Sequence, residues 1–315
     1  MTTTRVRKCD AHHTSSSMPM PDEQPVYTVA PPGYRLPAEV QLGPVRLQVV
    51  DLGRSIDYYQ RMIGLAVIDS IDSTARLGAQ GSPVPLVELH ERKGATFVSP
   101  RSRLGLYHFA ILLPERAALG RFLAHLAQAG AHAGMADHLV SEAIYLTDPD
   151  GLGIEIYADR PRESWRTRGS SIEMATAPLD VRDLVQAGGD EPWTGAPTGT
   201  RMGHVHLHVP DLRSASAFYH RGLGFDTVTL SYPGALFMSA GGYHHHLGTN
   251  TWAEDAPLPM DDDARLLEWT IVVPRRGDVD DAARSVAIAG FDVTRENGDA
   301  VSTDPTGTRI RISAA

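Results

Sequence analysis

Histidine and glutamate placement is the feature of this chain most able to do chemistry. His204, His206 and His208 recur at i+2, which puts all three on one face of an extended strand. His244, His245 and His246 are consecutive, a composition often associated with metal binding. His108 stands in the apolar run Leu106–Pro114, where a lone imidazole is more often structural than a ligand. Glu155 lies between Ile154 and Ile156 in a period-2 segment, so its carboxylate faces away from both neighbours. On the inner face of a closed sheet such a carboxylate is costly unless it is paired or metal-bound.

The elements that must position these groups come from an internal repeat. Val45-Arg46-Leu47-Gln48-Val49-Val50-Asp51-Leu52 aligns with Val205-His206-Leu207-His208-Val209-Pro210-Asp211-Leu212 at an offset of 160. The same offset sets Tyr59 on Tyr219, Gly64 on Gly224, and Leu106–Pro114 on Leu266–Pro274. Asp148-Pro149 and Gly151 find counterparts in Asp304-Pro305 and Gly307 after a short deletion. The chain is a tandem duplication.

Each copy divides again. Alternation predicts a strand over 45–50, then a helix from Asp51 or Leu52 to about Met62, which Gly64 ends. A strand over 84–90 closes unit one. Unit two opens with a strand over 106–113 and a helix from about Glu115 to Ala129, stopped by Gly130. The turn Asp148-Pro149-Asp150-Gly151 then joins strands over 143–146 and 153–157. Four such units make an α+β fold of duplicated βαβββ type with curled mixed sheets. The expected division is a flexible Pro-rich tail over 1–38, a first domain over 39–159 (units one and two), a linker over 160–200 and a second domain over 201–315 (units three and four). Trp165 and Trp193 suggest that the linker packs on a domain.

Bulk properties narrow the function. At 315 residues two domains are the ordinary expectation. A net charge of −9, from 29 basic and 38 acidic residues, gives no basic footprint for nucleic acid. No apolar run approaches the roughly 20 residues that span a bilayer, and residues 1–20 lack a signal-type apolar stretch. The single cysteine, Cys9, excludes an intramolecular disulfide framework and fits a reducing compartment. The cytoplasm is the expected location.

Gly203-His204-Val205-His206-Leu207, Phe218-Tyr219 with Gly222-Leu223-Gly224-Phe225, and Tyr145 with Asp148-Pro149-Asp150-Gly151 and Glu155 resemble the vicinal oxygen chelate superfamily. The runs Leu106–Pro114 and Ala240–His246 are similar to those of its two-domain bacterial catechol 2,3-dioxygenases, over roughly residues 40–315. The resemblance implies an extradiol enzyme that inserts dioxygen into a catechol-like or hydroquinone-like diol at an Fe(II) centre, with Mn(II) accepted by the same donors. In that family two histidines and one glutamate leave three coordination positions open.

The duplication tests which units keep the metal. His108 corresponds to Glu268, Glu155 to Arg311, and His204 to Pro44. Proline offers no ligand atom and arginine is permanently cationic. The resemblance therefore assigns the metal to His108, Glu155 and His204, and units two and three must face each other. Glu268 and Arg311 are expected to form an ion pair in the emptied set.

Family register implies further roles. Tyr145 stands ten residues before Glu155, with His138 upstream of it, as groups that stabilise reaction intermediates. The His244–His246 run supplies the acid–base residue, and register with Leu247-Gly248 selects His245, on the reading that the triplet alternates along a strand. His206, His246, Asn250 and Trp252 are expected in the substrate pocket. The partners implied are a small aromatic diol and dioxygen, without nucleic acid or membrane, and sheet-edge pairing suggests a homodimer. Two rivals share the fold. Glyoxalase-type isomerases need a second carboxylate, which 243–250 does not offer, and ligand-binding resistance proteins lack a complete triad.

Overall fold

In the computed structural model, residues 29–229 and 232–315 are described. Unit one is β1 (Gln41–Val49), α1 (Leu52–Tyr58), β2 (Ala66–Ile71), β3 (Thr74–Gly78) and β4 (Pro85–Glu91). Unit two is β5 (Gly105–Leu112), α2 (Arg116–Gln128), β6 (Gly134–Asp137), β7 (Ser141–Thr147) and β8 (Gly153–Asp159). The connection carries the short strands β9 (Thr167–Arg168) and β10 (Ser171–Ile172) and the helix α3 (Val181–Gly188). Unit three is β11 (Arg201–His208), α4 (Leu212–Ala215), β12 (Asp226–Thr229), β13 (Ala235–Ser239) and β14 (Leu247–Asn250). Unit four is β15 (Arg265–Val273), α5 (Arg276–Ile288), β16 (Val293–Glu296), β17 (Asp299–Thr303) and β18 (Arg309–Ala314).

The βαβββ grammar holds four times, and local chemistry explains why. Asp51 and Asp211 occupy equivalent N-caps, accepting from the backbone N–H of Arg54 at 2.8 Å and of Ser214 at 2.7 Å. Both helices finish in a wide π-helical turn, Tyr59–Ile63 and Ser216–Gly222, just before Gly64 and Gly224. Gly64 takes φ 84°, the left-handed C-cap conformation that glycine adopts without strain. Strands bury their apolar alternates against the helices in one continuous core that includes Phe109, Phe122, Ile154, Ile156, Phe218 and Trp269.

The sheets cut across the linear order of the units. One eight-stranded sheet runs β16-β17-β18-β15-β1-β4-β3-β2 and the other β12-β13-β14-β11-β5-β8-β7-β6. Each is therefore built from one unit of each half: units one and four share the first, units two and three the second. The joints are the antiparallel pairs β1–β15 and β11–β5. Within each half, the two units are instead tied by side chains that cross between the sheets. Tyr59 in unit one donates to Asp148 in unit two at 3.0 Å, and Tyr219 in unit three to Asp304 in unit four at 2.7 Å. Each aspartate also caps its own turn, Asp148 accepting from Asp150 and Leu152 N–H, Asp304 from Thr306 and Thr308 N–H.

The tail and linker also differ from simple flexible segments. Residues 1–28, which hold Cys9 and most of the expected Pro-rich tail, lie outside the described residues. From Val29 the chain is fixed: Val29 bridges Thr227, Arg35 grips the buried Asp226 with two bonds of 2.7 Å, and Leu36 is buried. In the linker, Trp193 packs on Phe122 and Trp165 on Tyr243 and His244. Among the described residues no helix is long and apolar enough to cross a membrane.

Candidate metal centre

Strand register builds the site. Tyr145 on β7 lies opposite Glu155 on β8, Glu155 beside Ala110 on β5, and Ala110 opposite His204 on β11. Directly opposed residues share a sheet face, so this row places Tyr145, Glu155 and His204 on one concave surface. His108, two residues before Ala110, joins them and pairs with His206. Ala110, the small residue in the row, leaves the space that the longer side chains fill. Two glycines serve close approach: a Cβ on Gly203 would lie 2.0 Å from the Tyr157 hydroxyl, and one on Gly248 would lie 2.9 Å from the His206 ring.

Among the described residues, one group of His, Cys, Asp or Glu could hold a metal, and it is His108, Glu155 and His204, with ligand atoms all within 4.8 Å of one another. All three are buried. Oε2 of Glu155 lies 3.0 Å from Nε2 of His108 and 3.1 Å from Nε2 of His204. The His108 contact lacks hydrogen-bond alignment, so this buried nitrogen has no partner among the described residues. A buried lone pair left unmatched beside a carboxylate is what a cation site requires. Burial holds the His108 pKa down, against the pull of Glu155, which favours the neutral imidazole that ligates metals. At Glu155 burial works upward, but His204 and His108 outweigh it and keep the carboxyl well below its ordinary range.

The concave face encloses a cavity of about 380 Å³ whose walls include Tyr107, Tyr145, Tyr232, Phe237, His245 and Trp252. His138 and His206 line it as well. The Nδ1 of His138 lies 2.7 Å from the Ala175 carbonyl and its Nε2 lies 2.5 Å from the Tyr145 hydroxyl. Burial, then the charge of Glu155, pushes the Tyr145 pKa well above its ordinary value, so the phenol keeps its proton. The His245 ring packs against that of His204, tilted by 46° with centroids 4.1 Å apart, and burial holds its pKa well below the usual histidine value.

Three sequence expectations change. The triplet His244–His246 does not alternate along a strand, because β14 begins only at Leu247; Gly241 and Gly242, both at positive φ, turn the chain just before it. His246 faces a different cavity, beside Arg201 and Tyr243, with its Nδ1 accepting from Ala240 N–H, and so leaves the expected pocket. Asn250 is fully buried behind the wall, its Oδ1 bonded to His208 Nδ1 at 2.7 Å and its Nδ2 to His206 Nε2 at 2.9 Å. His206 and Trp252 do line the cavity. Tyr107, Tyr232 and Phe237 were not singled out from sequence, since aromatic residues in strands carry no local mark of which cavity they face.

A second cavity of about 610 Å³ lies between the sheets, sharing Tyr107, His108 and Tyr145 with the first. Its far wall is the counterpart of the triad. Glu268, 3% exposed, receives Arg311 at 2.8 Å, Arg309 at 3.2 Å and Arg46 at 3.5 Å. The emptied set is an arginine–glutamate cluster, with the expected Glu268–Arg311 pair at its centre. The smaller cavity, where the ligand atoms converge, is the candidate active site.

Paired βαβββ units curled around a buried His/Glu/His set define the vicinal oxygen chelate class. The profile of the Glyoxalase/Bleomycin resistance protein/Dioxygenase superfamily matches residues 41–156 and again 201–312. The chain is 46% identical over 259 residues to a catechol-2,3-dioxygenase of Bacillus subtilis (strain 168), covering 81% of this chain and 90% of that one. The chain belongs to this superfamily and, within it, to the catechol 2,3-dioxygenase family of enzymes. Among solved structures, a provisionally named dioxygenase of Bacillus subtilis subsp. subtilis str. 168 superposes with a TM-score of 0.62 at 14% identity, over 89% of this chain and 86% of that one. A variant of glyoxalase I from Zea mays gives 0.54 at 17% identity, over 87% and 94%. At those identities the likeness is one of fold.

Proposed function

We propose that this protein is an extradiol dioxygenase that opens a catechol-like or hydroquinone-like aromatic diol, using a divalent iron held by His108, Glu155 and His204. The carrying observation is the convergence of these three buried side chains beside an aromatic-walled cavity, with Nε2 of His108, which points at the carboxylate, left without a hydrogen-bond partner among the described residues. Manganese is compatible with the same donors. Iron bound there would supply coordination for both diol oxygens and for dioxygen, and would acidify the diol.

The remaining steps belong to side chains. Tyr107, Phe237 and Trp252 supply aromatic walls against which a substrate ring can pack away from water. His245, kept neutral by burial, takes a hydroxyl proton from the diol. His138 donates Nδ1–H to the Ala175 carbonyl, so its Nε2 accepts from the Tyr145 hydroxyl. Glu155 is the single carboxylate among the cavity-lining residues, and a glyoxalase-type site would need a second.

Anaerobic loading with ferrous iron, followed by catechol and oxygen, tests this reading. A yellow ring-opened product and equimolar oxygen uptake are expected. Iron-loaded protein that yields no product from a panel of catechols and hydroquinones would overturn it.

A further inference from the structure

Behind His245 lies a chain of hydrogen bonds that the reaction scheme above does not use. Asp159 ends β8, with its side chain 25% exposed. Its Oδ1 lies 2.8 Å from Nε2 of His244, and Nδ1 of His244 lies 2.7 Å from Nδ1 of His245. His244 is completely buried, and the linker residue Trp165 packs against its ring at 5.2 Å. The path therefore runs from the molecular surface, through a ring closed off from water, to the residue packed against His204.

Directions along this path follow from donor and acceptor chemistry. A carboxylate only accepts, so Nε2 of His244 carries hydrogen and donates to Asp159. In a neutral ring the other nitrogen is then bare, so Nδ1 of His244 accepts. The hydrogen between the two rings belongs to Nδ1 of His245. Its Nε2 is left as a lone pair, and among the described residues that atom forms no hydrogen bond.

We propose that Asp159 and His244 are positioning residues that fix the Nδ1–H tautomer of His245 and present its bare Nε2 to the cavity. The hydrogen bond at one ring nitrogen decides the state of the other, and a carboxylate that orients a histidine through such a bond is a recurrent device. Here the carboxylate acts through an intervening histidine, which explains the use of consecutive histidines and the burial of the middle ring. The proposal rests on His245 being the group that takes the diol proton.

Histidine-selective 15N NMR of the full-length protein loaded with diamagnetic zinc reads the tautomers directly. The wild type should show His245 protonated on Nδ1 and His244 on Nε2. Asp159→Ala should mix the tautomers of both rings. In iron-loaded enzyme it should lower kcat for catechol by about 10- to 100-fold, the range typical of outer-layer partners, with KM and iron content unchanged. Asp159→Asn keeps an amide oxygen that can accept from His244 and should restore the tautomers and most of kcat. The proposal is overturned by wild-type His245 protonated on Nε2, by an Asp159→Ala variant with unchanged tautomers and kcat, or by equal losses in both variants. Iron-loaded wild type that cleaves no diol overturns the dioxygenase reading instead, while the NMR result still decides the tautomer.

Discussion

Burial and charge pull the Glu155 carboxyl in opposite directions, and the two imidazoles facing it decide the outcome in favour of the anion. That balance makes Glu155 the residue least replaceable by an isostere. Glu155→Gln keeps the shape but removes the charge, and should cost more metal affinity than the about 10- to 100-fold attached to outer-layer partners. Metal analysis after dialysis, together with the ring-cleavage assay, measures this; a variant that retains its iron would contradict the ligand role. Tyr145→Phe should behave differently. It leaves the ligands intact and removes a single hydroxyl donor, so metal content should hold while kcat falls by about 100-fold or more. At this scale the sequence was legible where a residue type was expensive without a partner. Glu155 between two isoleucines marked a carboxylate on the face opposite to both, and the duplication singled out His108, Glu155 and His204 by what replaced them. His246 and Asn250 were misread because neighbours of a cavity-lining residue look alike until the backbone turn at Gly241-Gly242 is known. Asp159 gave no signal, since its partners arrive only when unit three closes on unit two.

Among the elements, the turn after β7 is the most informative. Asp148 accepts from two backbone N–H groups and from Tyr59, yet burial raises its pKa to about 6 from an ordinary 3.8. A carboxyl raised on folding binds its proton more tightly in the folded state. Its contribution to stability is therefore fullest below the unfolded value and is lost as pH rises through the folded one. Asp148→Asn lacks this titration while keeping an acceptor for the backbone. Relative to the wild type, the variant should gain on the order of 3 kcal/mol between about pH 4 and pH 6. Denaturant titrations across that range check the slope; a constant difference between the two proteins would contradict it. Helix and strand limits in units one and two were readable from Asp51, Gly64, Gly130 and the Asp-Pro-Asp-Gly turn, because caps and turns are local chemistry. The wide π-helical turns at Tyr59–Ile63 and Ser216–Gly222 were not, since their helical periodicity over one turn is nearly that of an α-helix.

For the whole molecule, the decisive fact is that the sheets do not follow the duplication. Pairing of β5 with β11 and of β1 with β15 joins the halves twice, once around the His/Glu/His set and once around Glu268. The second joint should be structural. Glu268→Ala leaves three arginines around a buried void, and breaking a buried pair in this way costs on the order of 3–5 kcal/mol; equilibrium unfolding should show that loss with iron content unaltered. An unchanged unfolding free energy would remove the cluster from the account. From sequence, the need for unit two to meet unit three followed from ligand counting alone. The pairing of unit one with unit four in the other sheet was not legible, because strand pairing between distant segments is set by which edges are free, and no local pattern records that.

The account stands or falls on where a metal sits. A crystal of the iron-loaded protein, read by anomalous scattering at the iron edge, should show one strong site bonded to Nε2 of His108, Nε2 of His204 and a carboxylate oxygen of Glu155. An iron atom bound elsewhere, or full iron loading with any of these three side chains turned away from it, would contradict the central claim.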